Sequence, residues 1–201
     1  MLITIGQKPS AARDLVDLLL ECHERIRSFV ALARAAAEEA DPPETEIVEA
    51  CFRVERYFVE ALPLHVADEE ESVLPRLGGR SLEIDRALHA MHEQHIGHER
   101  KLRSLLNASA ALRQSPSDVR RRAVLAVAAS DLGQDLTEHL ALEEAVVFPT
   151  ISRVLPAATQ AEIVAELRAR RRRDDRLSSA SKERLRSSVA SDALDPRKTG
   201  K

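Results

Sequence analysis

The sequence predicts an all-α protein: an up-down-up-down four-helix bundle with a short C-terminal helix and a disordered tail. The 201-residue chain is rich in Ala, Leu, Arg and Glu and has only 6 glycines, a composition that favours helix. Apolar residues recur at helical spacing in four long segments joined by short connections. Because short links place consecutive helices side by side and antiparallel, we assign the bundle to residues 10–155.

The first two helices are predicted at about 10–40 and 42–74. Ser10 is the predicted N-cap of the first, because its hydroxyl can accept a hydrogen bond from the first helical turn. Asp41 can cap the second helix in the same way. The pair Gly78-Gly79 is predicted to complete the turn that ends it.

The third and fourth helices follow the same rules. The third is predicted from about Ser81 to Leu112. Ser115 is the predicted cap of the fourth, with Pro116 in its first turn, where a missing amide hydrogen costs nothing. Pro149 is predicted to lie at the end of this fourth helix.

The last part of the chain is predicted to change character. Thr159 and Glu162 have the spacing of a capping box, which predicts a short helix at 158–173. Residues 174–201 are rich in Ser, Arg and Asp and poor in large apolar side chains. Such a segment buries too little apolar surface to offset its conformational entropy, so we predict it to be disordered.

Charge and hydropathy exclude several classes of partner. The net charge is -3, which gives no case for binding nucleic acid or a membrane surface. No run approaches 18 apolar residues, and the N-terminal segment lacks the charged start of a signal peptide. With only two cysteines there is no disulfide framework. We therefore expect a cytoplasmic protein without a membrane span, and the sequence indicates no particular protein partner.

The chain contains an internal repeat. HVADEEESVLP at 65–75 and HLALEEAVVFP at 139–149 share a histidine, a glutamate four residues later, a second glutamate, and a valine, apolar residue and proline in order. Upstream, LLECH and MHEQH align so that His23 corresponds to His95. The offset is 72 residues at the first histidine and 74 at the second, so the chain is predicted to be two copies of one helix pair.

Each copy can contribute three side chains to one buried metal site. Residues i and i+4 project from the same face of a helix, so each His-x-x-x-Glu can bind a cation, and the other two histidines add one nitrogen each. Nitrogen-rich ligation with carboxylate bridges suits two iron ions with an oxo or hydroxo bridge, and suits manganese or zinc less well. The predicted metal ligands are His23, His65, Glu69, His95, His139 and Glu143.

This order of motifs resembles the hemerythrin-like, or HHE cation-binding, family. The repeated HxxxEExxV, followed by an apolar residue and proline, is similar to that family's two signature helix ends. The resemblance implies a four-helix bundle with a non-haem di-iron centre that meets oxygen, peroxide or nitric oxide. By position, it also carries the ligand role onto the same six residues.

The sequence departs from the oxygen carriers of that family. Those proteins have a His-x-x-x-His in the third helix and an aspartate late in the fourth, whereas here Glu99 follows His95 and the fourth helix carries Glu143. A site richer in carboxylates stabilises the ferric state, so sensing, peroxide turnover or iron handling gains weight over reversible oxygen carriage. Whether the protein is an enzyme stays open, and no residue is singled out as a catalytic acid or base.

Several neighbouring polar residues are predicted to lie outside the ligand set. His92 and His98 flank His95 and could replace or assist it, with His98 the stronger alternative. Glu70 and Glu144 are rotated away from the ligand face, which favours a solvated position, although their recurrence in both halves leaves a supporting role open.

Three alternatives to a reactive di-iron centre remain. An iron sensor or store would need the same ligands without turnover. A metal-free bundle would leave buried polar side chains without partners at a cost of several kcal/mol. A ferritin-like site needs Glu-x-x-His, and no histidine in this chain has a glutamate three residues before it.

Overall fold

A computed structural model describes residues 14–40 and 42–193, with side chains up to residue 177 and at residue 179. All of the regular structure in this part is helical. Five helices follow one another, and two of them contain short π-helical turns. We number them α1 (Leu15–Glu38), α2 (residues 44–77), α3 (Leu82–Gln114), α4 (residues 119–154) and α5 (Ala157–Ala193).

The first four helices form a closed bundle. Contacts join α1 to α2, α2 to α3, α3 to α4, and α4 back to α1. This arrangement confirms the predicted all-α four-helix bundle. Within the described ranges, no helix combines the length and apolarity needed to cross a membrane.

Side-chain caps set the starts of three bundle helices. Asp14 accepts a hydrogen bond from the backbone N–H of Asp17 at 2.8 Å and begins α1. Ser81 caps α3. Asp118 caps α4, so the prediction of Ser115 was wrong: Ser115 instead ends α3. The carboxylate of Asp118 accepts from two amides of the following turn, which explains why the helix begins there.

Two other predicted caps cannot be compared with the structure. Ser10 and Asp41 both lie outside the described residues. The regular part of α2 begins at Glu44, and Pro43 at its N-cap position makes no side-chain hydrogen bond.

The prolines inside α2 and α4 are accommodated by π-helical turns. These turns are Tyr57–Ala61, Glu69–Val73 and Glu143–Val147, and each ends two residues before a proline: Pro63, Pro75 and Pro149. Proline has no amide hydrogen, and its ring crowds the carbonyl group of the residue four positions earlier. In each case that earlier residue lies in the π-helical turn, which is wider than an α-helical turn. The helices therefore continue past their prolines, and Glu69 and Glu143 are the first residues of two π turns.

The apolar core consists of two separate clusters. One contains Ile26, Leu62, Leu105, Leu136 and Leu140, together with further residues of all four bundle helices. The other contains Leu19, Val73, Met91, Val147 and Phe148 among its members. Along every bundle helix, the first cluster lies on one side and the second on the other side of a buried polar position. The predicted ligand positions fall in the band between the clusters.

Helix α5 differs from the prediction. It begins at Ala157, directly after Pro156, and continues to Ala193, so residues 174–193 are helical where disorder was expected. The segment 157–193 contains no glycine or proline and is rich in helix-forming residues, which favours its continuation. Ile163 and Leu167 are buried in the second apolar cluster. Residues 194–201 lie outside the described part.

Candidate metal centre

Six polar side chains from the four bundle helices meet between the apolar clusters, and they are the six predicted as ligands. Five of them are at most 3% exposed, and 7% of the His95 side chain is accessible. One histidine comes from α1 and one from α3, while α2 and α4 each bring a His-x-x-x-Glu pair. The repeat therefore places three donors from each half in a single cluster.

The donor atoms fall into two overlapping sets. His23 and His65 form one set with Glu69 and Glu143, and His95 and His139 form the other with the same two glutamates. Within each set, one donor atom from every residue lies within 4.8 Å of the others. Both carboxylates thus belong to both sets, which is the arrangement expected of residues that bridge two cations.

Each glutamate directs one oxygen towards each set. Oε2 of Glu143 lies 2.9 Å from Nε2 of His23, and its Oε1 lies 3.1 Å from Nε2 of His139. For Glu69, Oε1 lies 3.3 Å from Nε2 of His65 and Oε2 lies 3.4 Å from Nε2 of His95. The two carboxylates are therefore placed alike despite coming from different halves.

Many of these donor atoms have no hydrogen-bond partner. All four carboxylate oxygens of Glu69 and Glu143, both ring nitrogens of His65, and Nε2 of His23 are buried without one in the described structure. Burying a polar group without a partner is costly, and most buried polar side-chain atoms in proteins are satisfied. Cations bound in the two donor sets would satisfy both carboxylates and one ring nitrogen each of His23 and His65, because an imidazole can direct only one nitrogen at an ion.

Without a cation, charge within the cluster would shift its pKa values. Burial would lower the pKa of His23, but the carboxylates of Glu143 and Glu69 outweigh it and raise that pKa to about 9. Burial would also lower the pKa of His95, but the carboxylates of Glu69 and Glu70 outweigh it and raise that pKa to about 9. For His65, burial dominates and lowers the pKa. Two histidines of the cation-free site are therefore positively charged at neutral pH.

The histidines of α1 and α3 are each held by the opposite half. Nδ1 of His23 donates to Oε1 of Glu144 at 2.7 Å, and Nδ1 of His95 donates to Oε1 of Glu70 at 2.8 Å. These glutamates directly follow Glu143 and Glu69, so they support the site and the prediction of a simply solvated position was wrong. Their recurrence in both copies was the sequence signal for this role.

The two supporting glutamates have different second partners. Arg27 donates to Glu144 at 2.7 Å, whereas His92, which is 53% exposed, lies 3.1 Å from Glu70. The six donors are thus arranged with pseudo-symmetry, whereas the residues that bind the two supporting glutamates differ between the halves. Both arrangements leave the Nε2 atoms of His23 and His95 facing the cluster.

The other histidines of α3 lie outside the two donor sets, so the structure favours His95 over them as the ligand from this helix. His89 is exposed. His98 is 9% exposed, and its ring packs edge-on against His139 with centroids 5.1 Å apart, but it belongs to neither donor set. Gln94 accepts a hydrogen bond from Nδ1 of His139 at 3.0 Å, a role that the sequence pattern did not indicate.

A buried acid outside the donor sets connects the cluster to α5. Asp68 is 0% exposed and lies between His65 and Glu69 in α2. Arg170 and Arg171 of α5 bind its two carboxylate oxygens. These two arginines therefore pair with a buried carboxylate rather than only with solvent. Sequence reasoning missed Asp68 because the second copy has Leu142 there and the partner arginines lie about one hundred residues away.

Neither cysteine shows the features of a reactive thiol. Cys51 is buried, and Sγ of Cys22 lies 3.9 Å from Nη2 of Arg171. Burial raises the pKa of both thiols, which disfavours the nucleophilic thiolate form.

The cluster is open on one side. A cavity of about 490 Å³ is lined by three of its members, His65, His95 and His139. The other three, His23, Glu69 and Glu143, do not line this cavity. A small molecule could therefore approach the donors from the α2–α3 side.

Comparison with protein families identifies one match. The Hemerythrin HHE cation binding domain model matches residues 14–151 and again residues 86–196. The first match covers α1 to α3 and all but the last three residues of α4, and the second begins inside α3, near the start of the second helix pair. No curated protein sequence matches the chain.

Proposed function

Because the chain belongs to the hemerythrin HHE cation-binding family, we propose that it is a non-haem di-iron protein that binds or reacts with oxygen, peroxide or nitric oxide. The proposed ligands are His23, His65, Glu69, His95, His139 and Glu143. One observation carries the proposal: two donor sets share both glutamates, and each glutamate directs one oxygen to each set. This arrangement supports two cations rather than one.

The chemistry of the donors supports iron. Four imidazoles with two carboxylates suit iron better than calcium or magnesium, which prefer oxygen ligands. Two iron ions would supply one-electron redox chemistry and coordination positions not taken by protein. Manganese and zinc accept similar donors and are the alternatives that metal analysis must exclude.

The chain's own residues would orient the donors and limit water. Glu70 and Glu144 accept hydrogen bonds from Nδ1 of His95 and His23, which fixes both rings with Nε2 towards the centre. The apolar clusters on either side exclude bulk water from the donor atoms. His95, the most exposed of the six, lines the cavity. A small ligand would therefore reach the centre from the side of His95.

A second candidate function is iron sensing or iron handling without turnover. It is favoured by the connection of Asp68, adjacent to Glu69, to Arg170 and Arg171 of α5. Movement of α2 on gaining or losing metal would be transmitted to this long helix. A partner that recognises α5 would then detect the state of the centre.

Metal analysis tests the proposal most directly. We expect about two iron atoms per chain in protein purified without chelator, with His65→Ala and His139→Ala each losing metal. His89→Ala is the matched control, because His89 lies on α3 but is exposed and outside both donor sets. Full metal content in the first two variants, or none in the wild type, would contradict the proposal.

A peroxide-consumption assay separates the two candidate functions. The reactive centre predicts peroxide loss by the iron-loaded protein that is absent after chelation. The sensor predicts no turnover, together with a metal-dependent change in proteolysis or hydrogen exchange of α5. An optical spectrum recorded in air, before and after dithionite, would follow the oxidation state of the iron in both cases.

A further inference from the structure

We propose that the cavity beside the centre binds a small organic molecule with an apolar body and a hydroxyl or amino group. This inference rests on the proposed function, because it names the class of molecule that would lie against the metal centre. The cavity would then accept molecules larger than oxygen, peroxide or nitric oxide. Four properties of the cavity support this: its volume, its apolar walls, the imidazole of His98 and the acidic residues that line it.

The volume is too large for a diatomic ligand alone. The cavity measures about 490 Å³, within the range of roughly 300–1,000 Å³ that is typical of small-molecule sites. A water molecule takes up about 30 Å³ in the liquid, and a diatomic ligand is of similar size. The cavity could therefore hold an organic molecule of about ten non-hydrogen atoms.

The walls are largely apolar. Leu62 and Val66 of α2, Ile96 and Leu102 of α3, and Leu136 of α4 line the cavity. Side chains of this kind gain from contact with a hydrocarbon body and offer it no hydrogen bond. They favour an aromatic or aliphatic group over a polar one.

One imidazole on the wall is free to orient such a molecule. His98 lines the cavity, is 9% exposed, and makes no hydrogen bond to any residue that the structure describes. Its imidazole can both donate and accept a hydrogen bond. A hydroxyl or amino group can serve either role, so His98 would select for these groups and fix the molecule's orientation beside His139.

When no metal is bound, the charges around the cavity disfavour an anion. Glu70, Glu71 and Glu99 line it, and no Lys or Arg does. Glu70 is bound to His95, and Glu71 accepts from Arg170 at 2.8 Å, but Glu99 has no partner among the described residues. In chelator-treated protein, a bound carboxylate would meet this acidic rim without a lysine, an arginine or a metal ion to pair with, and His95 is already bound to Glu70. An ammonium group would instead be attracted to the rim.

Binding of three matched probes tests the ligand class. We would titrate the full-length protein with 2-phenylethanol, 2-phenylethylamine and phenylacetate, using calorimetry and ligand-observed NMR. The alcohol and the amine should bind chelator-treated protein, and phenylacetate should bind that form at least about tenfold more weakly because of the acidic rim. Equal binding of phenylacetate to chelator-treated protein, or no binding of any probe, would overturn the inference.

Variants locate the binding to this cavity. Ile96→Trp should fill the mouth and weaken alcohol binding at least about tenfold, because the added ring takes up ligand volume. Val127→Trp is the control, since Val127 is 61% exposed, similar to 55% for Ile96, and does not line the cavity. His98→Leu should weaken alcohol binding about fivefold, as expected for one lost hydrogen bond. Unchanged affinity in Ile96→Trp would overturn the inference.

Titrating both iron-loaded and chelator-treated protein separates this inference from the proposed function. If the protein holds iron but binds no probe in either form, the cavity proposal fails and the di-iron proposal stands. If it takes up no iron but binds the alcohol in a manner that depends on Ile96, the cavity proposal stands alone. Metal content is measured on every variant, so loss of the centre cannot be mistaken for loss of the cavity.

Discussion

The carboxylate of Asp68, which is completely buried, accepts a hydrogen bond from Nη2 of Arg171 at 2.6 Å. Arg170 binds the other oxygen of the same carboxylate. These contacts attach α5 to the segment of α2 that carries His65 and Glu69. The equivalent position in the second copy is Leu142, so only one half of the bundle is attached in this way.

Removing the arginines should cost more stability than removing the acid. The double variant Arg170→Leu/Arg171→Leu leaves a buried charge without a partner, which should lower the free energy of unfolding by about 3 kcal/mol. Asp68→Leu should cost about 1 kcal/mol, since the released guanidinium groups can turn to solvent. The triple variant should recover most of the loss. Urea denaturation measures all three, and additive effects would contradict the pairing.

The supporting glutamates should contribute to metal affinity. Glu70→Gln and Glu144→Gln keep the side-chain size but replace a carboxylate that accepts from His95 or His23 with a neutral amide. Loss of such a partner typically weakens metal binding about 10–100-fold. Competition with a chromophoric chelator would measure the change. Glu93→Gln is the control, because Glu93 is exposed on α3, and an equal effect there would refute a specific role.

Metal binding should release protons. At pH 7 the cation-free site holds protons on His23 and His95, whose pKa values are raised to about 9 by the neighbouring carboxylates. Because a metal ion requires deprotonated ligands, its binding should release about two protons and strengthen as the pH rises to 9. Calorimetry in buffers of different ionisation enthalpy gives the number released. No dependence on the buffer would contradict the expectation.

The same groups predict how the stability of chelator-treated protein varies with pH. A folded pKa above the ordinary value of 6.5 means that the folded state binds the proton more tightly. The stabilisation from His23 and His95 is therefore complete below pH 6.5 and lost as the pH rises through 9. Thermal melting between these limits should show a falling midpoint, whereas a rising midpoint would contradict the assignment.

Two helical glycines should respond oppositely to alanine. A Cβ at Gly97 would meet nothing within 4 Å, so Gly97→Ala should stabilise the protein by about 1 kcal/mol through helix propensity. A Cβ at Gly133 would lie 2.8 Å from Cγ1 of Val30, where α4 approaches α1. Gly133→Ala should therefore destabilise by about 1 kcal/mol despite the same propensity gain.

A second substitution checks the proposed clash at Gly133. Val30→Ala removes the methyl group that the new Cβ would meet. The double variant should consequently lose less stability than the sum of the two single variants, as measured by urea denaturation. Simple additivity would show that the close approach of α1 and α4 is not the cause.

The bundle and the convergence of six side chains could be predicted because both depend on periodic features. Apolar spacing located the four long helices, and i to i+4 spacing put His65 with Glu69 and His139 with Glu143 on single helix faces. The repeat then selected His95 from among the neighbouring histidines of α3. These features are local or duplicated, so one sequence contains enough information to find them.

The details that sequence reasoning missed depend on distant partners or on local competition. Asp68 pairs with arginines from another helix, and no periodic pattern links them. Ser115 was predicted as the cap of α4, but the carboxylate of Asp118, three residues later, accepts from two amides of the following turn. Glu70 was assigned to solvent from ideal α-helical rotation, whereas it lies in a wider π turn and reaches His95 on another helix.

The turn at Gly78-Gly79 lies between the two groups of three donors, and Gly79 has a φ of 76° that favours glycine there. Cleaving the backbone at this turn would give two fragments, each with an incomplete set of donors. A metal ion bound by donors from both fragments would then favour their reassembly. A split version of the chain, with a reporter half on each piece, would convert the supply of that metal into a complementation signal.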